Sequence, residues 1–349
     1  MDLKLVDTTT TASFVSAGAG AGITQSGILT VGTDASFITK LDGATDSITL
    51  NTAGNTFGTI TARTLNTAGA VVDGGAISIT ESGAMDLKLV DTTTTASFVS
   101  AGAGAGIVDS GTLTIGGDAT FTVPGGSSII LDSAANNFGG TLTFTSSGGG
   151  NINNVTVVDT TLVDLQVLTI DGVLSVTAGG NITQSGILTV GTDASFITKL
   201  DGATDSITLN TAGNTFGTIT ARTLNTAGAV VDGGAISITE SGAMDLKLVD
   251  TTTTASFVSA GAGAGITQSG ILTVGTDASF ITKLDGATDS ITLNTAGNTF
   301  GTITARTLNT AGAVVDGGAI SITESGAMDL KLVDTTTTAS FVSAGAGAG

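Results

Sequence analysis

The sequence contains no cysteine, histidine, tryptophan or tyrosine, and its 349 residues include a single proline, Pro124. Without cysteine or histidine, the chain cannot form a disulfide bond or a zinc site of the common Cys/His kinds. It also lacks the base of a Ser–His–Asp triad and any imidazole for acid–base catalysis. We therefore expect a protein that is not an enzyme, with no catalytic residue, no metal site and no cofactor.

Basic residues are scarce as well. Ten Lys and Arg stand against 29 Asp and Glu, which gives a net charge of −19. Because phosphate contacts need Lys and Arg, we expect no binding to nucleic acid or to anionic membrane surfaces. No apolar run approaches the ~18 residues of a transmembrane helix, so we also expect no insertion into a membrane.

Internal repetition dominates the chain. The unit 23–106 returns unchanged as 182–265 and 266–349, the segment 1–22 is identical to 85–106, and 107–181 is a shorter, diverged version. No linker, charge block or proline-rich stretch separates the units. Such periodicity is typical of solenoids, so we predict one continuous body over 1–349 rather than separate globular domains.

Short segments of alternating apolar and polar residues fill the unit 23–106, and helical periodicity is missing. The alternation directs Leu29 and Phe37 inward, and in the segment 85–91 it directs Met85, Leu87 and Leu89 inward. The predicted strand segments are 27–31, 35–40, 47–51, 59–64, 71–72, 76–80, 85–91 and 96–100.

The connections between these segments are too short for the crossover helices of βαβ layouts. Many strands with tiny turns predict an all-β fold, a single-stranded β-solenoid with coils of roughly 20 residues. On that estimate the unit makes about four turns and the whole chain about 17.

The diverged unit supports the strand assignment. It keeps apolar residues at the inward positions, as Phe121 for Phe37 and Ile129 for Ile48 show, while Gln166 replaces the outward Lys88. Inward positions that stay apolar while outward ones change indicate that both versions form the same stack of coils. End coils would expose bare strand edges, so we expect further repeats or identical chains as partners.

Three phrases resemble a known family: ITQSGILTVGTDASF, SITLNTAGNTFGTITA and LSVTAGGNITQSGILTV (174–190). They are similar to the repeat region of the filamentous-haemagglutinin-like adhesins, the giant exoproteins of two-partner secretion in Gram-negative bacteria. The resemblance covers essentially every unit, but its phrases belong to a scaffold and not to an active site. It implies a right-handed parallel β-helix that is exported and displayed at the bacterial cell surface.

One turn carries a candidate metal site. Asp42 and Asp46 flank a turn that contains Gly43, and two carboxylates in a turn can hold Ca²⁺. However, the chain has neither a calcium-binding nonapeptide repeat nor an EF-hand loop. We favour solvated turn residues.

A second group of charges lies on one strand. Asp86, Lys88 and Asp91 are expected to pair with charges on adjacent coils, on an exposed face where each pair contributes under ~1 kcal/mol. Polysaccharide-cleaving β-helices need acids clustered with bases in one groove. Identical copies instead spread the acids of this chain along its length, which argues against catalysis.

Threonine is abundant on the predicted outer face. Thr49, Thr59, Thr61 and the run 92–95 raise the hypothesis of a flat array that orders ice-like water, although ordinary outward β-branched residues explain them equally well. Asn154 and Asn181 begin sequences that match the glycosylation acceptor pattern, which is too common to identify a site.

The Gly/Ala segments such as 102–106 are too short for silk and predict a tight turn or a flat packing strip. Together with the charged residues and the threonines, these segments indicate a protein with a structural role rather than a catalytic one. We expect a structural segment of a long extracellular or cell-surface fibre, an adhesin stalk, matrix filament or sheath. The alternative is a repetitive multivalent binding surface for glycan, mineral, ice or identical neighbouring filaments. We also expect a host or neighbouring-cell surface as a partner.

Overall fold

The computed structural model describes residues 1–18, 20, 22–42, 46–72, 74–201, 205–231, 233–285, 289–315 and 317–345. In these residues the fold is an all-β solenoid without helices, whose parallel strands stack in about 14 coils. None of them forms a helix that could cross a bilayer. The predicted fold class is therefore confirmed. The fold divides into two compact units, Met1–Val173 and Leu174–Gly349.

The first unit consists of short strands separated by turns rich in Gly, Asn, Asp and Thr. Its strands are β1 (Asp2–Leu3), β2 (Val6–Thr8), β3 (Ala12–Ala17), β4 (Ile23–Gln25), β5 (Leu29–Lys40), β6 (Ile48–Leu50), β7 (Thr56–Leu65), β8 (Ile77–Glu81), β9 (Met85–Thr92), β10 (Ala96–Ser100), β11 (Ile107–Ile115), β12 (Ala119–Pro124), β13 (Ile129–Leu131), β14 (Asn137–Phe138), β15 (Leu142–Ser147), β16 (Val155–Asp159), β17 (Val163–Leu165) and β18 (Leu168–Ile170).

The second unit is built in the same way. Its strands are β19 (Leu174–Ala178), β20 (Ile182–Gln184), β21 (Leu188–Val190), β22 (Asp193–Lys199), β23 (Asp205–Leu209), β24 (Thr218–Leu224), β25 (Gly233–Glu240), β26 (Ala243–Thr251), β27 (Ala255–Ala260), β28 (Gly265–Gln268), β29 (Leu272–Lys283), β30 (Asp289–Leu293), β31 (Thr299–Leu308), β32 (Gly317–Glu324), β33 (Leu330–Asp334) and β34 (Ala339–Ser343).

Most successive strands in each unit alternate between two parallel ladders, and some long strands pair with members of both, as β29 does with β26 and β27. In the first unit, ladder 1 contains β4, β6, β8, β10, β12 and β15, and ladder 2 contains β3, β5, β7, β9, β11, β13 and β16. In the second unit, ladder 3 contains β20, β23, β25, β27, β29, β31 and β33, and ladder 4 contains β22, β24, β26, β28, β30, β32 and β34.

The coils of ladder 1 differ in length. Its successive partners are Ile23, Ile48, Ile77, Ala96 and Ala119, so the sequence number advances by 25, 29, 19 and 23 from one coil to the next. The average coil therefore holds about 24 residues, rather than the roughly 20 that the sequence predicts for a solenoid of this kind. This longer coil explains why the chain makes about 14 coils rather than 17.

The length of the repeat unit is not a whole number of coils. With about 24 residues in a coil, the unit spans about 3.5 coils. The first strand of one copy therefore lies in one ladder, and the first strand of the next copy lies in the other. In the copy 182–265, Ile182 and Ile207 stack in ladder 3. In the next copy the equivalent Ile266 and Ile291 stack in ladder 4. Two identical copies therefore place the same outward residues on different sheets of the second unit.

The core is filled by the inward residues of the ladders. Leu29, Phe37, Ile48 and Leu87 are all 0% exposed, as the alternation predicts. Aromatic rings continue from coil to coil, with the ring centroids of Phe37 and Phe14 5.5 Å apart and nearly parallel. Each buried large apolar side chain contributes about 1.5–3 kcal/mol, so every coil is stabilised by the coils beside it.

The inward assignment of Leu89 is wrong. Leu87 pairs with Ile60, but Leu89 pairs with the next residue, Thr61, because Lys88 is an extra residue in a β-bulge. The bulge reverses the alternation, so Val90 is buried in place of Leu89. In the diverged unit, the residue equivalent to Leu89 is Val167, which is 68% exposed.

The strand prediction at 71–72 is also wrong, because these residues belong to an outward loop over 66–72. Asn66 N donates to Ala70 O at 2.8 Å, and Ala70 N donates to Asn66 Oδ1 at 2.7 Å. Gly69, at φ 86°, makes the reversal between them. Val72 is 58% exposed, so two adjacent valines were not enough to indicate a buried strand here.

Candidate functional site

A buried asparagine links three successive coils at one bend of the solenoid. Asn55 is 0% exposed, and its Nδ2 donates to Gln25 Oε1 at 2.8 Å, Leu50 O at 3.2 Å and Thr80 O at 3.0 Å. Its Oδ1 accepts from Leu29 N at 3.0 Å and Gln25 Nε2 at 2.8 Å. Because the whole amide is paired inside the protein, we interpret this group as a structural one and call it the asparagine node.

The node explains two phrases of the repeat, ITQSG and NTAGN. Asn214 binds Gln184, and Asn298 binds Gln268, with the same sequence separation of 30. In the diverged unit, Asn136 Nδ2 instead donates to Asp109 Oδ2 at 2.6 Å. Either an amide oxygen or a carboxylate oxygen can therefore accept the hydrogen bond from this asparagine. The position requires a hydrogen-bond acceptor and not a reactive group.

A buried carboxyl group lies beside each node of the identical units. Glu81 is 2% exposed, and its Oε1 accepts from Phe57 N at 2.8 Å, while its Oε2 accepts no hydrogen bond from the described residues. Burial, with a smaller effect from Asp86, raises the pKa of Glu81 to about 7. Sequence reasoning missed this residue, although its position two residues after the inward Ile79 was a signal for it.

The acids of the candidate calcium turn lie in different environments, and the prediction of solvated turn residues is wrong for Asp46. Asp42 is exposed, and its carboxylate accepts from both N and Oγ1 of Thr67, which holds its pKa below the ordinary value. Asp46 is 1% exposed, and burial raises its pKa. Gly43 lies outside the described residues. Among those that are described, no group of three His, Cys, Asp or Glu residues could hold a metal ion.

The charged strand residues pair between coils, in two different settings. Lys88 Nζ lies 2.9 Å from Asp34 Oδ2 on the exposed face. Asp91 is 7% exposed and its Oδ2 lies 2.5 Å from Arg63 Nε, so this pair is half-buried rather than part of the exposed face that the sequence predicts. Asp86 Oδ1 accepts from Ser110 N.

The threonines also separate into different groups. Thr49 is exposed in ladder 1, where it pairs with Thr24 and Ser78. Thr59 donates to Asp34 Oδ1 at 2.6 Å.

The run 92–95 does not form one flat outer array. Thr92 is 1% exposed and donates to Gly75 O at 2.7 Å. Thr93 accepts from Gly74 N at 3.0 Å. These two side chains therefore hold the paired glycines of the preceding coil, whereas Thr61 lies half-exposed on the outward side of β7.

The remaining motifs have structural roles in the described residues. Asn154 Oδ1 accepts from Val173 N at 2.8 Å, and Asn181 Oδ1 accepts from Ser206 N at 2.7 Å, so both acceptor asparagines are bound to backbone. The Gly/Ala segment 102–106 makes a tight turn, in which Ala105 N donates to Gly102 O.

Comparison with known proteins gave a family but no individual relative. A family model described as repeats of unknown function (DUF5649) matches residues 1–64, 74–145, 152–223 and 233–307. The residues between matches include 65–73 and 224–232, so the loop that contains Val72 falls outside the part the family shares. No curated protein and no solved structure matches the chain.

Proposed function

Since the chain belongs to the repeats of unknown function (DUF5649), we propose that it is a structural segment of a long secreted or cell-surface bacterial fibre, such as an adhesin stalk, matrix filament or sheath. The proposal includes the filamentous-haemagglutinin-like identity that the phrases of the repeat resemble. It assigns the chain no catalytic site and no cofactor.

The observation that carries this proposal is the use of polar side chains between coils. The asparagine node, the Arg63–Asp91 pair and the Thr92–Gly75 bond all join one coil to another. Groups that are paired in this way are not available for chemistry on a substrate. Parallel ladders with such ties resist bending and stretching, which is the property that a stalk or filament requires.

Surface labelling of the source bacterium tests the proposal. Antibodies raised against the repeat unit 23–106 should bind intact cells, and brief protease treatment of intact cells should remove the signal. Electron microscopy of the shed material should then show thin fibres that carry the label. Binding that requires lysed cells would contradict the proposal.

A second candidate function rests on the outward column of ladder 1. The column presents side-chain hydroxyls on six successive coils, with no charged residue among them: Thr24, Thr49, Ser78, Ser97, Thr120 and Thr143. This uncharged run of six coils on a protein of net charge −19 offers a repeated contact for a glycan, mineral, ice or a neighbouring filament.

This alternative predicts binding that depends on the column. The chain should co-sediment with one of an insoluble glycan, a mineral or ice, and Thr49→Lys with Thr120→Lys should abolish the binding. The matched control is Thr67→Lys with Thr226→Lys, which changes exposed loop residues by the same charge. Equal binding by the two variants would contradict a role for the column.

A further inference from the structure

All three glutamates of the chain occupy one kind of position. Glu81, Glu240 and Glu324 are the only glutamates among the 29 acidic residues, and each is 2% exposed. In the diverged unit the equivalent residue is Asp159, which is also 2% exposed. Acids elsewhere in the chain are aspartates, so the longer side chain is used only for this buried position.

The local geometry makes this carboxyl group part of a coil-to-coil clasp. Phe57 N donates to Glu81 Oε1, and both the N and the Oγ of Ser82 donate to Asn55 O, at 2.8 and 2.9 Å. Three hydrogen bonds thus join residues 55–57 to residues 81–82 of the next coil. The asparagine node lies in the same clasp, through Asn55.

The other carboxyl oxygen is the unusual feature. Oε2 of Glu81, Glu240 and Glu324 is buried, and it accepts no hydrogen bond from the described residues. Oδ2 of Asp159 is in the same situation. A charge with an unpaired oxygen is costly to bury, whereas a neutral carboxyl group costs far less.

The diverged unit shows that the acid itself has been kept. An amide would accept from the Phe57 backbone equally well, and the exchange of Gln25 for Asp109 shows that this scaffold uses both groups. At the clasp, however, glutamate is replaced by aspartate, whose Oδ1 still accepts from Phe138 N at 3.4 Å. All four copies of this position therefore carry a group that can hold a proton.

We infer that these four carboxyl groups are proton-dependent clasps, closed when protonated and opened when the carboxylate ionises and draws in water. Few charges act on them. Asp86, on the strand that follows, faces Glu81, and none of the described residues of β7 or β10 places a charge against it. The inference concerns the solenoid itself and holds whether or not the proposed fibre role is correct.

The expected pH dependence follows from the direction of the pKa shift. Burial raises the pKa of Glu81 and Glu240 to about 7, above the ordinary value of 4.5. Between these values the folded chain holds protons that the unfolded chain has released, so stability falls as pH rises. The contribution of the clasp is fully present below about pH 4.5 and is lost as pH rises through about 7.

Labelling with ¹³C-glutamate tests the inference directly, because the only labelled side chains are those of the clasps. We expect the carboxyl resonances of Glu81 and Glu240 in the folded chain to titrate with midpoints near 7. Hydrogen exchange of the Phe57 amide, corrected for its intrinsic rate, should show an opening constant that rises by roughly 70-fold between about pH 5 and pH 8. Carboxyl midpoints near 4.5 would overturn the proposal.

A variant set separates the clasps from general charge effects. Glu81→Gln, Glu240→Gln, Glu324→Gln and Asp159→Asn together should remove the loss of stability between about pH 5 and pH 8. The matched control replaces four exposed acids, Asp42, Asp118, Asp201 and Asp285, by Asn, and should keep that loss. Equal behaviour of the two sets would overturn the proposal. If the first set does not fold, the carboxyl midpoints of the unmodified chain decide.

Discussion

Lys88 binds Asp34 across an intervening coil. The two residues are 54 positions apart, and Lys88 Nζ lies 2.9 Å from Asp34 Oδ2, while Thr59 of the coil between them donates to the other oxygen of the same carboxylate. One aspartate thus joins three coils. The hydrogen bond from the Thr59 hydroxyl, which has the larger effect, and that from the Lys88 ammonium hold the pKa of Asp34 below its ordinary value.

Arg222 should matter more than Lys247 for stability. Arg222→Met should lower the free energy of unfolding by about 1–3 kcal/mol, because it leaves the largely buried carboxylate of Asp250 without a partner. Lys247→Met removes an exposed pair and should cost less than about 1 kcal/mol. Urea denaturation measures both. Equal costs for the two variants would show that burial does not distinguish these pairs.

The asparagine node should be among the most sensitive polar positions. Asn214→Ala should destabilise the chain by about 2–4 kcal/mol, because it leaves Leu188 N and Leu209 O buried without partners. The control is Asn210→Ala, which removes an exposed amide that binds Ser237 Oγ and should cost under about 1 kcal/mol. Thermal unfolding of the two variants at one pH is the measurement. Similar midpoints would contradict the structural role of the node.

Close contact between coils requires glycine at certain turns. A Cβ on Gly234 would lie 2.0 Å from Asp205 O, a backbone atom that cannot move aside without shifting the strand. Gly234→Ala should therefore cost at least about 2 kcal/mol. Gly242→Ala, where nothing lies within 4 Å of the added atom, should be nearly neutral. If Gly242→Ala proved as damaging as Gly234→Ala, close coil contact would not explain the glycines.

Removal of a whole unit should be tolerated better than removal of one strand. Deleting 182–265 joins residue 181 to the identical sequence at 266, so every junction keeps its native neighbours. Because coils pack mainly against adjacent coils, with ties such as Lys88–Asp34 reaching one coil further, circular dichroism per residue and the urea midpoint should stay nearly unchanged.

Deletion of β27 alone removes far fewer residues, but it removes a strand from the middle of ladder 3. We expect this small deletion to unfold part of the chain. If it were tolerated while loss of the whole unit was not, stacking would not be the source of stability.

The sequence predicted the core better than it predicted the path of the chain. Leu29, Phe37 and Ile48 could be placed inside because alternation is undisturbed around them and the diverged unit keeps the pattern. Leu89 could not, because the bulge at Lys88 reverses the pattern without changing residue types. Coil length was also hidden, since an outward loop lengthens a coil without adding any periodic signal.

The buried acid was missed for a related reason. The predicted strand 76–80 stops one residue short of Glu81, so the next inward position was not considered. In a sequence, an acidic residue at an inward position indicates the end of a strand. Only the three-dimensional stack shows that Phe57 N donates a hydrogen bond to this carboxyl group. The asparagine node was equally hidden, since Gln25 and Asn55 meet only when a coil of known length brings them together.

The register of the coils can be measured with a pair of engineered thiols, because the chain has no cysteine of its own. Thr49 and Ser78 are direct partners in ladder 1, and strands in such a ladder lie about 4.8 Å apart, within the range that a disulfide can span. Thr49→Cys with Ser78→Cys should therefore form an intramolecular disulfide rapidly in the folded chain. Thr49→Cys with Ser97→Cys, two coils apart at about 10 Å, should not. A bridge in the second variant, or none in the first, would contradict the stacked coils on which the account rests.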